Sequence, residues 1–213
     1  MLARSPFSNV PRVGFDRQIS LPVVALLSAR LDAALTVAPT VAAFGLDPAV
    51  EALMKPLGLQ CAGHVIRRVR LHDGRSVTVL ALLNEAWVDS NGRTSAVGLK
   101  HAARAMGRRV VLVPEGAFYR EPMMTNALLI AGCAGADVSP SDRLALMAAL
   151  LEAGGSMPLA DAAETMLRSD DPVAAVLSLV ADRVVGLDLS ESIGPESRVL
   201  FRSRRIDTAG VRT

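Results

Sequence analysis

Aromatic side chains make up only 3% of this 213-residue chain, with one Trp, one Tyr and five Phe. Platforms for stacking unpaired bases are therefore scarce, and any core must be aliphatic. Lysine is rarer still: of 23 basic residues only Lys55 and Lys100 are lysine, a bias that together with the high alanine content reflects the gene rather than function. The two cysteines, Cys61 and Cys133, stand far apart and without partners at metal-ligand spacing. Neither a disulfide framework nor a zinc site is suggested, and both read as buried thiols. His64, His72 and His101 are not clustered, and no glycine pattern for cradling phosphates occurs. No Ser-His-Asp arrangement can be argued. The chain also lacks a charge-free apolar run long enough to span a bilayer and the continuous apolar segment of a secretory signal. The expectation is a cytoplasmic protein with no membrane partner.

What is present is apolar: 51% of the residues, enough to build two small cores. Between Ser139 and Arg202 the pattern reads as three short helices and a hairpin. Leu144, Met147, Ala148 and Leu151 recur at helical spacing, with Ser139 or Ser141 as N-cap and Gly154 and Gly155 as the stop. Pro158 opens a second helix bearing Leu159, Ala163 and Met166, and Asp171 with Pro172 opens a third bearing Val173, Val176, Leu177 and Val180. The period then changes to two at Val185, Leu187 and Leu189, and Arg198 to Arg202 supplies a return strand. This is the outline of a winged-helix domain. Residues 139–205 carry seven Arg and ten acids, and the third helix has no Lys or Arg. A groove-reading helix needs donors for phosphates and base edges, so docking is as natural a role here as DNA binding.

The preceding residues hold the basic excess. Residues 1–20 read as an N-terminal arm, residues 21–135 as an α/β domain, residues 139–205 as the winged-helix domain and residues 206–213 as a tail. A helix with Leu26, Leu27, Leu31 and Leu35 starts near Pro22, a short apolar stretch follows at Val41 to Phe44, and a second helix runs from Asp47 to about Lys55. The plainest β signal is His64 to Leu71, the turn Asp73-Gly74, and Arg75 to Leu83. Trp87 and Val88 suggest a short third strand and residues 89–92 a turn. A helix is expected from Thr94 to Met106 and a buried strand from Arg109 to Val113. Met123 to Ile130 is an apolar helix that could join the domains.

In the order and size of its parts, residues 40–202 resemble the bacterial TnsA-type transposon endonucleases. The resemblance implies an α/β restriction-endonuclease-like core plus a C-terminal winged-helix domain. It also implies metal-dependent chemistry from an early-helix acid, an acid at the end of a hairpin strand and a carboxylate-x-Lys pair. Glu51, Glu85 and Asp89 are the acids near those places, and Lys100 lies on the following helix, but the segment Ala86 to Ser90 has no lysine. The expectation is therefore a pseudo-nuclease without catalytic residues or cofactor, with Mg²⁺ needed only if those four residues make an endonuclease.

Arg93, Lys100, Arg104 and Arg108 fall near one face of the Thr94 helix, with Leu99, Ala103 and Met106 facing the core, and Arg68, Arg70 and His72 alternate onto one side of the hairpin. Arg198, Arg202, Arg204 and Arg205 add a basic wing and tail. These arginines and Lys100 are the candidate nucleic-acid contacts, with a solvated face as the plain alternative. Three readings stand: a non-catalytic DNA-associated protein, a protein-interaction adaptor working through the winged-helix domain, and a metal-dependent DNA endonuclease. A homodimer is compatible with each.

Overall fold

A computed structural model describes residues 23–57 and 63–202. The chain is mixed α/β, and it divides into two compact units at Ala131 and Gly132. No helix among the described residues is long and apolar enough to cross a membrane.

The first unit begins with α1 (Val23–Val37), whose Leu27, Leu31 and Leu35 repeat every four residues and are buried. It continues with β1 (Val41–Gly45), α2 (Pro48–Met54), β2 (His64–Leu71) and β3 (Ser76–Leu82). Gly74 takes φ +83° in the β2–β3 turn, where the Asp73 carboxylate accepts the Arg75 N–H at 3.0 Å. That is the geometry an Asp-Gly pair supplies without strain. Then come α3 (Asn84–Val88), α4 (Ser90–Ala105), β4 (Val110–Pro114) and α5 (Met123–Cys133), within which the division into units falls. The sheet order is β1-β2-β3-β4, antiparallel except for β3 and β4, whose parallel pairing follows the crossover through α3 and α4.

Helices cover both sheet faces. On one, Leu27, Leu31 and Leu35 pack with Val65, Val69, Ala81 and Phe118. On the other, Val50 and Met54 of α2 and Ala96, Leu99 and Ala103 of α4 pack on Ile66, Leu80, Leu82 and Val110. This two-sided cover accounts for the nearly continuous apolar run of β3.

Three local expectations are corrected. Trp87 and Val88 are helical, in α3, and residues 89–92 are not a free turn. Asp89 is the N-cap of α4, its carboxylate accepting the Gly92 N–H at 2.8 Å, so the helix begins at Ser90 rather than Thr94. Met106 is the C-cap of α4 and is 50% exposed instead of facing the core.

The second unit contains α6 (Pro140–Glu152), β5 (Ser156–Pro158), α7 (Leu159–Glu164), α8 (Pro172–Ala181), β6 (Val185–Leu187) and β7 (Arg198–Phe201). Ser139 caps α6 through the Asp142 N–H and Asp171 caps α8 through the Ala174 N–H, each ahead of a first-turn proline. The three strands form an antiparallel sheet in the order β5-β7-β6. β5 has no counterpart in the sequence reading: three residues are too few to show alternation, and its partners lie around Leu200. Pro158 accordingly caps α7 rather than opening it. The α6 stripe is also corrected, because Leu144 and Leu151 are 70% and 61% exposed while Leu146 and Leu150 are fully buried. Both sets have helical spacing, so periodicity alone could not choose between them.

Gly92 sits where α3 and α4 meet, and a Cβ there would lie 2.4 Å from the Ala86 carbonyl oxygen. Gly92→Ala should therefore destabilise the chain by about 1–3 kcal/mol in urea unfolding. Gly132, in the last turn of α5 with open space around it, should gain about 0.5–1 kcal/mol as alanine. Equal effects at the two sites would contradict the packing described.

Candidate nucleic-acid interface

Strand register sets out the site. Gly45, Arg68, Thr78 and Val110 are successive cross-strand partners from β1 to β4, so these positions share the face that carries α2 and α4. The next row holds Ala43, Arg70 and Ser76. α2 and α4 cover the Leu80 and Leu82 part of this face but leave Ala43, Gly45, Arg68, Arg70 and Ser76 exposed. The result is an open sheet surface with small residues around two guanidinium groups.

Its inner border is a buried polar cluster. Asp47, the N-cap of α2, is 2% exposed, and its carboxylate accepts from the Thr78 hydroxyl at 2.6 Å, from Arg108 at 2.8 and 3.1 Å, and from the Val50 N–H at 3.4 Å. Burial pushes this carboxyl up. The Thr78 hydroxyl, the Val50 N–H and the Arg108 charge together outweigh burial and hold it below the usual aspartate range. Arg108 thus ties the entry to β4 onto the start of α2, and its N–H also bonds the Ala103 carbonyl at 2.9 Å. That bond brings the last turn of α4, with exposed Arg104, to the same end of the sheet as Arg68 and Arg70.

Along α4, Arg93, Lys100 and Arg104 lie within about 20° of one line on the helix, spread over about 16 Å, and all three are exposed. Compensation separates the basic residues. Arg67, Arg75 and Arg108 are paired with Asp32, Asp73 and Asp47. Arg68, Arg70, Arg93, Lys100 and Arg104 form no ion pair with any described residue. Arg67, one residue from Arg68, points to the opposite face, where it makes a bidentate pair with Asp32 on α1 at 2.7 and 2.8 Å and bonds the Ser28 hydroxyl at 2.7 Å. Strand alternation is the signal that separates these neighbours. His72 and His101 are exposed, and His64 is half-buried.

The nuclease candidates are distributed over several elements. Glu51 on α2 opens into a groove of about 440 Å³ beside β2, lined also by Val24, Ser28, Leu46 and His64. Glu85 is exposed in the first turn of α3, Asp89 is engaged as the α4 cap, and Lys100 stands on the α4 surface. Among the described residues no group of three or more His, Cys, Asp or Glu is placed to hold a metal ion.

In the second unit Arg198 is exposed and donates to the Ser156 hydroxyl at 3.1 Å. Burial, and then the charge of Arg202, lower the pKa of Arg183. Arg204, Arg205 and Cys61 lie outside the described residues, as do the arm and the tail. The Cys133 thiol is half-buried and its pKa is raised by burial and by Asp171. Every residue of α8 is buried or half-buried, with Val173 and Ala175 to Val180 in the core, and the Ser178 hydroxyl donates to the Ala136 carbonyl at 3.2 Å. The helix that would read a groove has no open face. No family model, no curated protein and no solved structure matches this chain.

Asp47→Asn keeps the shape of the cluster and removes its charge beside Arg108. It should cost about 1–3 kcal/mol at neutral pH. Because the Asp47 pKa is lowered on folding, the wild type holds this stability above the unfolded aspartate pKa and loses it as pH falls through the folded value. The variant should therefore show a smaller loss of stability below about pH 4 in urea titrations. Identical acid limbs for the two proteins would remove Asp47 as a source of acid sensitivity.

Proposed function

We propose that this chain is a non-catalytic DNA-associated protein that contacts the phosphate backbone of duplex DNA through its first unit. The observation that carries this reading is the set of exposed cations of that unit that form no ion pair with any described residue: Arg68 and Arg70 on the open sheet face, and Arg104, Lys100 and Arg93 along α4. Cations without an acidic partner keep their full charge for phosphates, and releasing counterions from the duplex then drives association. The small residues Ala43, Gly45 and Ser76 let a backbone approach the sheet closely. Scarce aromatics favour a duplex over stacked single strands.

The antiparallel meander β1-β2-β3 with a parallel β4 supports reading the first unit as a restriction-endonuclease-like core. Three helices with the sheet order β5-β7-β6 support reading the second as a winged-helix domain. With α8 buried and free of cations, that domain serves better as a docking module than as a reader of base sequence. The adaptor reading, in which the chain binds only protein, draws on one observation of its own: Leu144, Ala148 and Leu151 form an exposed apolar line on α6. The endonuclease reading would need Glu51, Glu85 and Asp89 to gather around Mg²⁺ from three different elements.

Binding of labelled duplex DNA should weaken linearly in log affinity with log salt. Arg68→Ala, Arg70→Ala and Arg104→Ala should each lower the slope by about 0.9 and weaken unrelated sequences alike. Arg75→Ala, whose wild-type charge is compensated by Asp73, should leave the slope unchanged. Absence of binding at low salt would abandon the DNA reading for the adaptor. Mg²⁺-dependent cleavage lost in Glu85→Ala would instead establish the enzyme.

A further inference from the structure

β4 is an edge strand of the first sheet, and no described strand pairs with its outer side. The Thr78 N–H donates to the Arg109 carbonyl at 2.8 Å, so Arg109 directs its backbone toward β3. Alternation gives Val111 and Val113 the same direction and turns the N–H and C=O of Val110 and Leu112 outward. The strand reads Val-Val-Leu-Val-Pro, with no charge and no irregularity in its register with β3.

The opposite side of the sheet is protected by comparison. β1 has a register irregularity between Val41 and Ala43, and the uncovered half of β2 has its Ile66 carbonyl occupied by the Arg67 guanidinium at 2.9 Å. Proteins commonly blunt a free edge with bulges and cations of this kind, and β4 carries neither device.

We propose that β4 pairs antiparallel with β4 of a second copy about a two-fold axis through Leu112, extending the sheet across both protomers. The strand is self-complementary in this register. Leu112 meets its own copy as a closely spaced pair exchanging two hydrogen bonds, and Val110 faces the partner's Pro114 and donates to its carbonyl. Pro114, with no N–H to give, ends the ladder. Val111, 36% exposed in the single chain, is covered by the partner's Val113.

The flanks decide the partner. Arg109 is exposed and forms no ion pair with a described residue, and just beyond the ladder it comes beside the partner's Glu115, which opens a 3-10 turn (Glu115–Phe118) directly after β4. The Glu115 carboxylate is held at the strand end by the Asn84 N–H at 3.1 Å and the Tyr119 hydroxyl at 2.5 Å. Two-fold symmetry makes this charge match twice, which a strand from an unrelated protein has no reason to reproduce.

The 213-residue chain should sediment with twice its 22.4 kDa mass. Arg109→Glu places two acids opposite each other and Glu115→Arg two bases, so each variant alone should fall to single-chain mass. Mixed in equal amounts they restore opposite charges at both flanks, and the two-chain mass should return. Val111→Lys, a charge on the pairing face, should also give single chains, with circular dichroism reporting the fold of every variant. A wild type that stays single up to about 100 µM overturns the proposal. So does a two-chain mass that survives both Arg109→Glu and Val111→Lys, or dissociation without recovery on mixing.

Discussion

β3 is buried on both faces, and the layout of the first unit follows from that constraint. Leu80, Ala81 and Leu82 have no exposed surface, so helices must cover the sheet on either side of them. α1 does so on one face, and α2 with α4 on the other. β4 can reach its parallel position beside β3 only after a crossover, which α3 and α4 supply. Because α2 and α4 gather over Leu80 and Leu82, the Ala43, Gly45, Arg68 and Arg70 region of the same face stays open. The candidate interface is thus the part of the sheet that the core did not need.

Charge compensation divides the arginines by role. Arg67 fastens β2 to α1 through Asp32, Arg108 fastens β4 to α2 through Asp47, and Arg30 stacks 4.3 Å from the Tyr119 ring. Desolvating a carboxylate as deeply as that of Asp47 is costly unless its hydrogen-bonding capacity is used, and Thr78, Val50 and Arg108 use it. Arg68 and Arg70, which form no ion pair with a described residue, follow Arg67 along β2 and are exposed, so one run of arginines serves both architecture and the proposed interface.

The second unit shows how little a helix count says about role. α8 follows the third position of a helix, helix, helix, strand arrangement, yet its side chains are taken up by the core. α6 is apolar on two faces and buries only one of them, through Leu146 and Leu150. An exposed line of Leu144, Ala148 and Leu151 suits contact with an apolar partner surface more than contact with phosphates.

Local chemistry was legible in the sequence wherever a few neighbouring residues settle the backbone. The Asp73-Gly74 turn, the Asp171-Pro172 start of α8, the choice of Ser139 or Ser141 as the α6 cap, the glycine stop after α6 and the bounds of β2 are of this kind, because capping and turn geometry are satisfied within four residues. α3 escaped notice because a five-residue helix has too little periodicity to compete with the β propensity of Trp87 and Val88. The sequence by itself determined the basic excess before Ser139, the aliphatic cores and the alternation that separates Arg67 from Arg68. Only the tertiary structure decided which side of α6 is buried, that β5 exists, and which arginines are compensated. Those outcomes depend on partners far along the chain: Arg108 finds Asp47 across 61 positions, Arg67 finds Asp32 across 35, and Ser156 pairs with Leu200. No local pattern encodes such pairings, because they arise only when packing brings the elements together.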